Sequence, residues 1–187
     1  VSALDLLGEN AAKHGDDPEF PRDTITTLSR TTERMRRLLV RLSTPMDGGP
    51  GRLEPVDLPS LVRDVVKSWQ TGPDVRLVEE IAPVPAVAGD VDALHRVVEN
   101  LVTNAVEALE GRGTVTVKVY AEAERAVLVV ADTGRGMSAE YRRRSLFAPF
   151  RSTKKGGWGI GLYQTKQTID RHGGSIEVDT AEGRGTT

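Results

Sequence analysis

The hydrophobic period of this chain changes once, and the change falls on a cluster of helix breakers. From about Arg22 to Ser43, the residues Ile25, Leu28, Thr32, Met35, Leu39 and Leu42 recur at alternating steps of three and four. That is a heptad seam, the pattern of a helix packed lengthwise on other helices. Thr44-Pro45-Met46-Asp47-Gly48-Gly49-Pro50-Gly51 ends it, because Pro lacks the backbone donor a helix needs and Gly favours turns. Past Leu58 the pattern mixes helical stripes with strict alternation. One chain of 187 residues therefore holds a helical piece, a linker and an α+β domain.

Val1–His14 is also read as helical, ending before Gly15, with a turn at Asp16-Asp17-Pro18. Residues 1–46 then form a helical hairpin. One hairpin buries little surface alone, so the seam suggests a second copy and a dimeric four-helix bundle. The alternative is a hairpin packed on its own domain. Residues 47–56 form the linker and 57–187 the second domain. There, Leu61, Val62, Val65, Val66 and Trp69 fit one amphipathic helix. Val75–Ile81 alternates as a strand, and Asp90 reads as the N-cap of a helix running to about Leu109. Its apolar stripe is Leu94, Val97, Leu101, Ala105 and Ala108. Thr114–Tyr120 and Ala126–Val130 are strands around a charged turn, Gly159–His172 a helix, and Ser175–Val178 a strand.

Composition narrows the function. A net charge of -2 is too balanced for a general nucleic-acid binder. The absence of Cys excludes disulfides, iron–sulfur clusters and thiolate zinc sites. No apolar run reaches a membrane span, and no secretory leader is expected. No Gly-Lys dipeptide occurs, so there is no Walker A loop. His14, His95 and His172 are scattered and read as surface or structural residues.

Four features carry possible chemistry. Asn100 and Asn104 lie four apart on the long helix and share a face. Asn is a poor helix-interior residue unless its amide is used, and an amide oxygen is a hard neutral ligand suited to Mg2+ beside phosphates. Two exposed polar residues would look the same. Asp132-Thr133-Gly134-Arg135-Gly136-Met137 ends a strand. Its carboxylate can accept from an amine such as that of adenine, its glycines permit close backbone approach, and Met137 can supply a pliable wall. An ordinary Gly-rich turn is the plain alternative. Phe147-Ala148-Pro149-Phe150-Arg151-Ser152-Thr153-Lys154 lies in a stretch, Tyr141 to Gly157, with no acidic residue. That basic stretch suggests an anion partner, although Arg142–Arg144 reads better as a solvated face. Gly156-Gly157-Trp158-Gly159-Ile160-Gly161-Leu162 opens a helix, where backbone N–H groups can face a phosphate.

Together and in this order, the four features resemble the asparagine, phenylalanine and two glycine boxes of the GHKL family of ATPases and kinases. That family includes DNA gyrase, Hsp90, MutL and bacterial sensor histidine kinases. The resemblance spans roughly Val56 to Thr187. It implies an α/β sandwich with a mixed sheet on one side and helices on the other. The hairpin and linker resemble the dimerisation and phosphoacceptor domain of a sensor histidine kinase. Gyrase-like hydrolases carry Glu where this chain has Asn100, as general base for water. Asn cannot take that proton, so the site suits transfer of phosphate to a protein nucleophile. An ATPase that hydrolyses nucleotide for conformational work, and a non-catalytic nucleotide-sensing module, are the rival readings.

The resemblance assigns roles. Asn104 with Asn100 would coordinate Mg2+, and these two with Lys154 would be the catalytic set. ATP would be bound by Asn104, Glu107, Ala108, Asp132, Gly134, Gly136, Met137, Phe150, Ser152, Thr153, Lys154, Gly157, Gly159, Ile160, Gly161, Leu162 and Thr186. Asp132 would read the adenine amine, Gly134 and Gly136 would line the base pocket, and Lys154 would reach the phosphates. The γ-phosphate would pass to a His and then to an Asp of a response-regulator receiver domain. Ser152 stands where Thr is commoner, which keeps the hydroxyl. His14-Gly15-Asp16-Asp17 does not match the acceptor pattern, so the acceptor His is expected upstream of Val1. Gly183-Arg184-Gly185-Thr186 resembles the family's last Gly-Thr element, after which one further strand is expected. A cytoplasmic location is implied, with any membrane anchor outside this stretch. Within the sensor kinases, Asn10–Phe20 and Gly157–Gln164 resemble those associated with exosortase and extracellular-polysaccharide systems.

Overall fold

The computed structural model describes residues 53–69, 72–152 and 159–187. All lie in the second of two units into which the chain divides, Val1–Met46 and Asp47–Thr187. The expected hairpin and most of the linker fall outside the described residues. The elements run β1 (Glu54–Val56), α1 (Leu58–Ser68), β2 (Val75–Ile81), β3 (Val87–Gly89), α2 (Val91–Ala108), β4 (Gly113–Glu122), β5 (Arg125–Asp132), α3 (Ala139–Arg144) and α4 (Gly161–Arg171).

The main sheet has the order β2-β4-β5, with β2 and β4 parallel and β4 and β5 antiparallel. It is the mixed sheet expected. Parallel neighbours cannot be joined by a tight turn, and β3 with α2 supplies the crossover. The β4–β5 hairpin closes on the two residues between Glu122 and Arg125, with Ala123 at φ 51°. A second, two-stranded ribbon pairs β1 with β3.

Period-two alternation decides which face is dry. Val115, Val117 and Val119 of β4 are fully buried and share one cluster with Leu61, Val62, Val65 and Val66 of α1. Leu94, Val98, Val102 and Ala105 of α2, and Leu109 after it, complete that cluster. On β4's other face, Lys118 pairs with Glu80, its register partner on β2, at 2.6 Å, both about half exposed. Helices therefore cover one face and charges the other.

The N-caps of α1 and α2 follow from short polar side chains. Asp57 Oδ1 accepts from the Ser60 N–H (3.2 Å), and Ser60 Oγ donates to Asp57 Oδ2 (2.7 Å). Those bonds from Ser60 hold the Asp57 carboxyl below its ordinary range. Asp90 Oδ1 accepts from the Ala93 N–H at 2.9 Å, opening α2 where the sequence placed its start.

Three expectations need correction. The α2 residues in the main core are Leu94, Val98, Val102 and Ala105, whereas Leu101 and Ala108 are half-buried. A single stripe was the wrong template because α2 packs on both α1 and α4, so its apolar arc must be wider. The last helix starts at Gly161, not Gly159, because Gly159 sits at φ +64°. Ser175–Val178 belongs to no ladder. The pairing there begins at Asp179, which exchanges both backbone bonds with Thr187 at 2.8 Å, and Thr186 alone bridges to Asp132.

Candidate nucleotide site

Asn100, Asn104, Glu107 and Ala108 lie along one side of α2, spaced as successive helical turns. Opposite Asn100 stands the start of α4. Asn100 Nδ2 donates to Thr165 Oγ1 at 2.8 Å. A Cβ on Gly161 would lie 2.1 Å from Asn100 Oδ1, 2.9 Å from its Cγ and 3.1 Å from its Nδ2. So Gly161 is glycine because the Asn100 amide occupies the space of a side chain. Ile160 is the N-cap of α4 and offers no side-chain cap, with Gly161 and Leu162 in the first turn. The first N–H groups of α4 have no intrahelical partner, and the helix dipole adds partial positive charge there.

The turn after β5 is held by backbone approach. Asp132 Oδ1 accepts from the Gly134 N–H at 2.8 Å. Asp132 N donates to the Thr186 carbonyl at 2.8 Å, and Thr186 N donates back at 3.3 Å. A Cβ on Gly134 would sit 2.3 Å from the Ala108 carbonyl oxygen. That carbonyl, in the last turn of α2, accepts from Arg135 N at 3.0 Å. Gly136 has φ +63° and Gly185 has φ +81°. Their Cβ atoms would meet the carbonyls of Ala181 and Asp132 at 1.9 Å. Met137 N donates to Thr180 Oγ1, which in turn donates to the Gly185 carbonyl, both at 3.0 Å. Thr180 Oγ1 also lies 3.0 Å from Thr186 Oγ1.

A third contact joins Phe150, within the basic stretch, to Gly159 just before α4. Phe150, at φ 62°, donates its N–H to the Gly159 carbonyl at 2.8 Å. A Cβ on Gly159 would lie 2.4 Å from the Arg151 carbonyl oxygen. The Tyr141 hydroxyl donates to that same carbonyl at 3.1 Å. Burial pushes the Tyr141 phenol above its ordinary range, against the pull of Arg135 and Arg151. Ser152 is exposed, and Thr153, Lys154 and Gly157 lie outside the described residues. Arg142, Arg143 and Arg144 are all exposed, with Arg142 near Asp179 (3.8 Å) and Arg144 on Glu140 (3.2 Å). That is the solvated face the sequence suggested.

The structure thus joins Asn100 to Gly161, Ala108 to Gly134, Asp132 to Thr186 and Phe150 to Gly159. Sequence reasoning passed over Thr165, Thr180 and the bridging role of His172. The His172 ring accepts from the Asp90 N–H at Nε2 (3.0 Å), and its Nδ1 meets the Thr168 carbonyl at 2.7 Å. The carbonyl can only accept, so Nδ1 carries the proton. Nothing distinguishes these three residues in sequence, since isolated Thr and His have many structural uses.

Among the described residues, no group of three or more His, Asp or Glu could hold a metal ion. Asn100 and Asn104 offer amide oxygens on the site face of α2, with the Glu107 carboxylate nearer its C-terminal end. Those two oxygens fit a hard cation whose charge is balanced by a ligand's phosphates, not by the amides.

Residues 89–187 match the family described as histidine kinase-, DNA gyrase B- and HSP90-like ATPase. The chain belongs to this family. Its ATP-binding domain is of the sensor-histidine-kinase type, for its relatives carry that name. The probable sensor histidine kinase TcrY of Mycobacterium tuberculosis is 34% identical over 195 residues, covering 98% of this chain and 41% of TcrY. The chain therefore spans under half of that relative's length. The mycobacterial sensor histidine kinase MprB has the same fold with a TM-score of 0.62 at 30% identity, over 72% of this chain and 92% of that one. Full-length ShkA in complex with AMPPNP matches with a TM-score of 0.65 at 26% identity, over 88% of this chain and 37% of that one. Sensor histidine kinases generally dimerise and signal to response regulators. No helix among the described residues of this ATPase domain is long and apolar enough to cross a membrane.

Proposed function

We propose that this kinase-type domain binds Mg-ATP between α2 and the start of α4 and delivers the γ-phosphate to a histidine, not to water. The observation that carries this reading is Asn100 facing the N-terminus of α4 through Gly161. An amide there can ligate a cation but cannot accept water's proton. Asn100 and Asn104 would hold Mg2+, which would supply charge neutralisation for the phosphates. Asp132 would accept from the adenine amine, beside Gly134, Gly136 and Met137. Glu107, Ala108 and Thr186 would complete that end. Phe150, Ser152, Thr153, Lys154, Gly157, Gly159, Ile160 and Leu162 would enclose the phosphates. The uncapped first turn of α4 stabilises anionic oxygens there.

In the transfer, the bond from the γ-phosphorus to the bridging oxygen breaks and ADP leaves. A bond from phosphorus to an imidazole nitrogen forms. The imidazole proton goes to solvent or to a neighbouring base. The phosphate would then move from that histidine to an Asp of a response-regulator receiver domain. The expected dimerisation hairpin, 1–46, lies outside the described residues, and the unit that contains β1, whose Val56 packs in the core, would be the catalytic domain. The domain works in the cytoplasm.

The test uses γ-phosphate-radiolabelled ATP with the full-length protein. Protein-bound label that survives alkali but not acid supports phosphohistidine, and Asn104→Ala should abolish it. Steady phosphate release without labelled protein would favour a hydrolase instead.

A further inference from the structure

Thr165 lies on the inner side of α4, one helical turn after Gly161. It is the one buried polar residue among those described, at 2% exposure. A hydroxyl taken from water into a helix interface is costly unless it is bonded. Valine has the same shape and would fill the space without that cost. The hydroxyl's recorded side-chain partner is Asn100 Nδ2, at 2.8 Å.

That bond anchors the amide at one end. The torsion at the end of an Asn side chain is broad and nearly two-fold. Its two settings exchange an oxygen acceptor for an N–H2 donor. A hydroxyl could also donate to an amide oxygen, so the setting is chosen at the other end. There the first N–H groups of α4, without intrahelical partners, favour Oδ1. With Nδ2 on Thr165, Oδ1 is turned to the Gly161 side, at the start of α4. The opposite setting would present N–H groups there, which repel a cation. Gly161 and Thr165, four apart on one helix, therefore hold the two ends of one amide.

We propose that Thr165 is a positioning residue that keeps the Asn100 carbonyl oxygen turned toward the cation of a bound nucleotide. This rests on reading Asn100 as a ligand in the nucleotide site. Losing one net hydrogen bond and letting the amide turn should weaken metal-dependent nucleotide affinity by roughly three- to tenfold. Affinity for nucleotide without metal should stay within about twofold, because Thr165 is placed to act on the metal ligand alone.

The experiment measures affinity of the full chain for a non-hydrolysable ATP analogue, in a Mg2+ titration and in excess chelator. Variants are Thr165→Val and Thr165→Ser. Thr165→Val should weaken only the Mg2+-dependent part, and Thr165→Ser should restore it. Equal weakening with and without Mg2+, no weakening by Thr165→Val, or failure of Thr165→Ser to rescue would each overturn the proposal. If wild-type affinity did not depend on Mg2+, the reading of the site itself would fall, and this inference with it. A second measurement survives even if Thr165→Val does not fold. The side-chain amide signal of Asn100 in the wild-type chain, followed by NMR, should show protons protected from exchange. Protons exchanging as fast as those of an exposed Asn would also overturn the assignment.

Discussion

Replacing Gly161 with alanine separates stability from ligand binding. The new Cβ would stand 2.1 Å from Asn100 Oδ1 and 2.9 Å from Asn100 Cγ. Ordinary contact needs at least ~3 Å, so the amide must retreat by about 1 Å, which breaks its bond to Thr165. A lost neutral hydrogen bond costs about 1 kcal/mol. Alanine in place of glycine in a helix gains about the same, since φ at Gly161 is not in the left-handed region. The two terms nearly cancel, so the ligand-free variant should melt within a few degrees of wild type. Binding has no such compensation. A displacement of ~1 Å at a positioned group costs on the order of 100-fold. A non-hydrolysable ATP analogue with Mg2+ at 100 times the wild-type Kd adds about 2.7 kcal/mol to wild type and about 0.4 kcal/mol to a 100-fold weaker variant. For a chain of this size that is a shift of roughly 5–11 °C against about 1 °C. Differential scanning fluorimetry with and without ligand reads both quantities. A variant that keeps the full ligand-induced shift would refute the reasoning about Asn100. A variant that loses more than about 3 kcal/mol without ligand would refute the claimed cancellation.

Gly136→Ala should be severely destabilising even without ligand. The position has φ +63°, and its Cβ would meet the Ala181 carbonyl at 1.9 Å. Left-handed strain and overpacking together predict a loss of roughly 2–5 kcal/mol in urea unfolding. His172→Phe removes the acceptor of the Asp90 N–H and the donor to Thr168. Unfolding free energy should fall by about 1–3 kcal/mol at neutral pH, and an unchanged urea midpoint would dismiss the bridge. Tyr141→Phe tests a titration. The folded phenol's pKa lies above its ordinary value of 10.0, so the fold favours the neutral form. That stability is fully present below pH 10 and is lost as pH rises through the higher folded value. The wild type should therefore weaken at alkaline pH more steeply than Tyr141→Phe, by denaturant unfolding across that range.

Strands β2, β4 and β5 and the cap of α2 were legible in the sequence because they depend on local signals, whereas β1, β3 and the caps at Asp57 and Ser138 were not read. Val75–Ile81 has the bounds that its alternation suggested, set between a Gly-Pro pair and Ala82-Pro83. Asp90 announces α2 because a short acceptor before an apolar run has one common use. What escaped depends on neighbours distant in sequence. The buried arc of α2 could not be read as one stripe, because the helix has α1 on one side and α4 on another. Ser175–Val178 alternates as a strand should, yet alternation does not supply an edge to pair with. The glycines were recognised as site markers. Three of them, Gly134, Gly136 and Gly185, serve a further purpose that spacing could not show. Each lets one backbone pass within contact distance of a distant carbonyl. Thr165 was invisible because nothing marks a helical threonine as polar glue until its partner is seen.

The contacts of α4 share one consequence. Its C-terminal His172 meets Asp90 at the start of α2, while its first turn and Thr165 meet Asn100. The two helices therefore run antiparallel. At 1.5 Å per residue, Asp90 to Asn100 spans about 15 Å and Gly161 to His172 about 16 Å. The contacts at the two ends are in register to within one residue's rise. A slip of α4 by one residue along its own helical path would take His172 off the Asp90 N–H and bring the next side chain, Leu162, to the place of Gly161 against the Asn100 amide. Neither loss could be offset by the other, because both follow from the same slip. The direction of one amide in the site is thus set by a hydrogen bond beside it and by a histidine at the far end of the helix. Perturbing His172 should reach Asn100 without any contact between them.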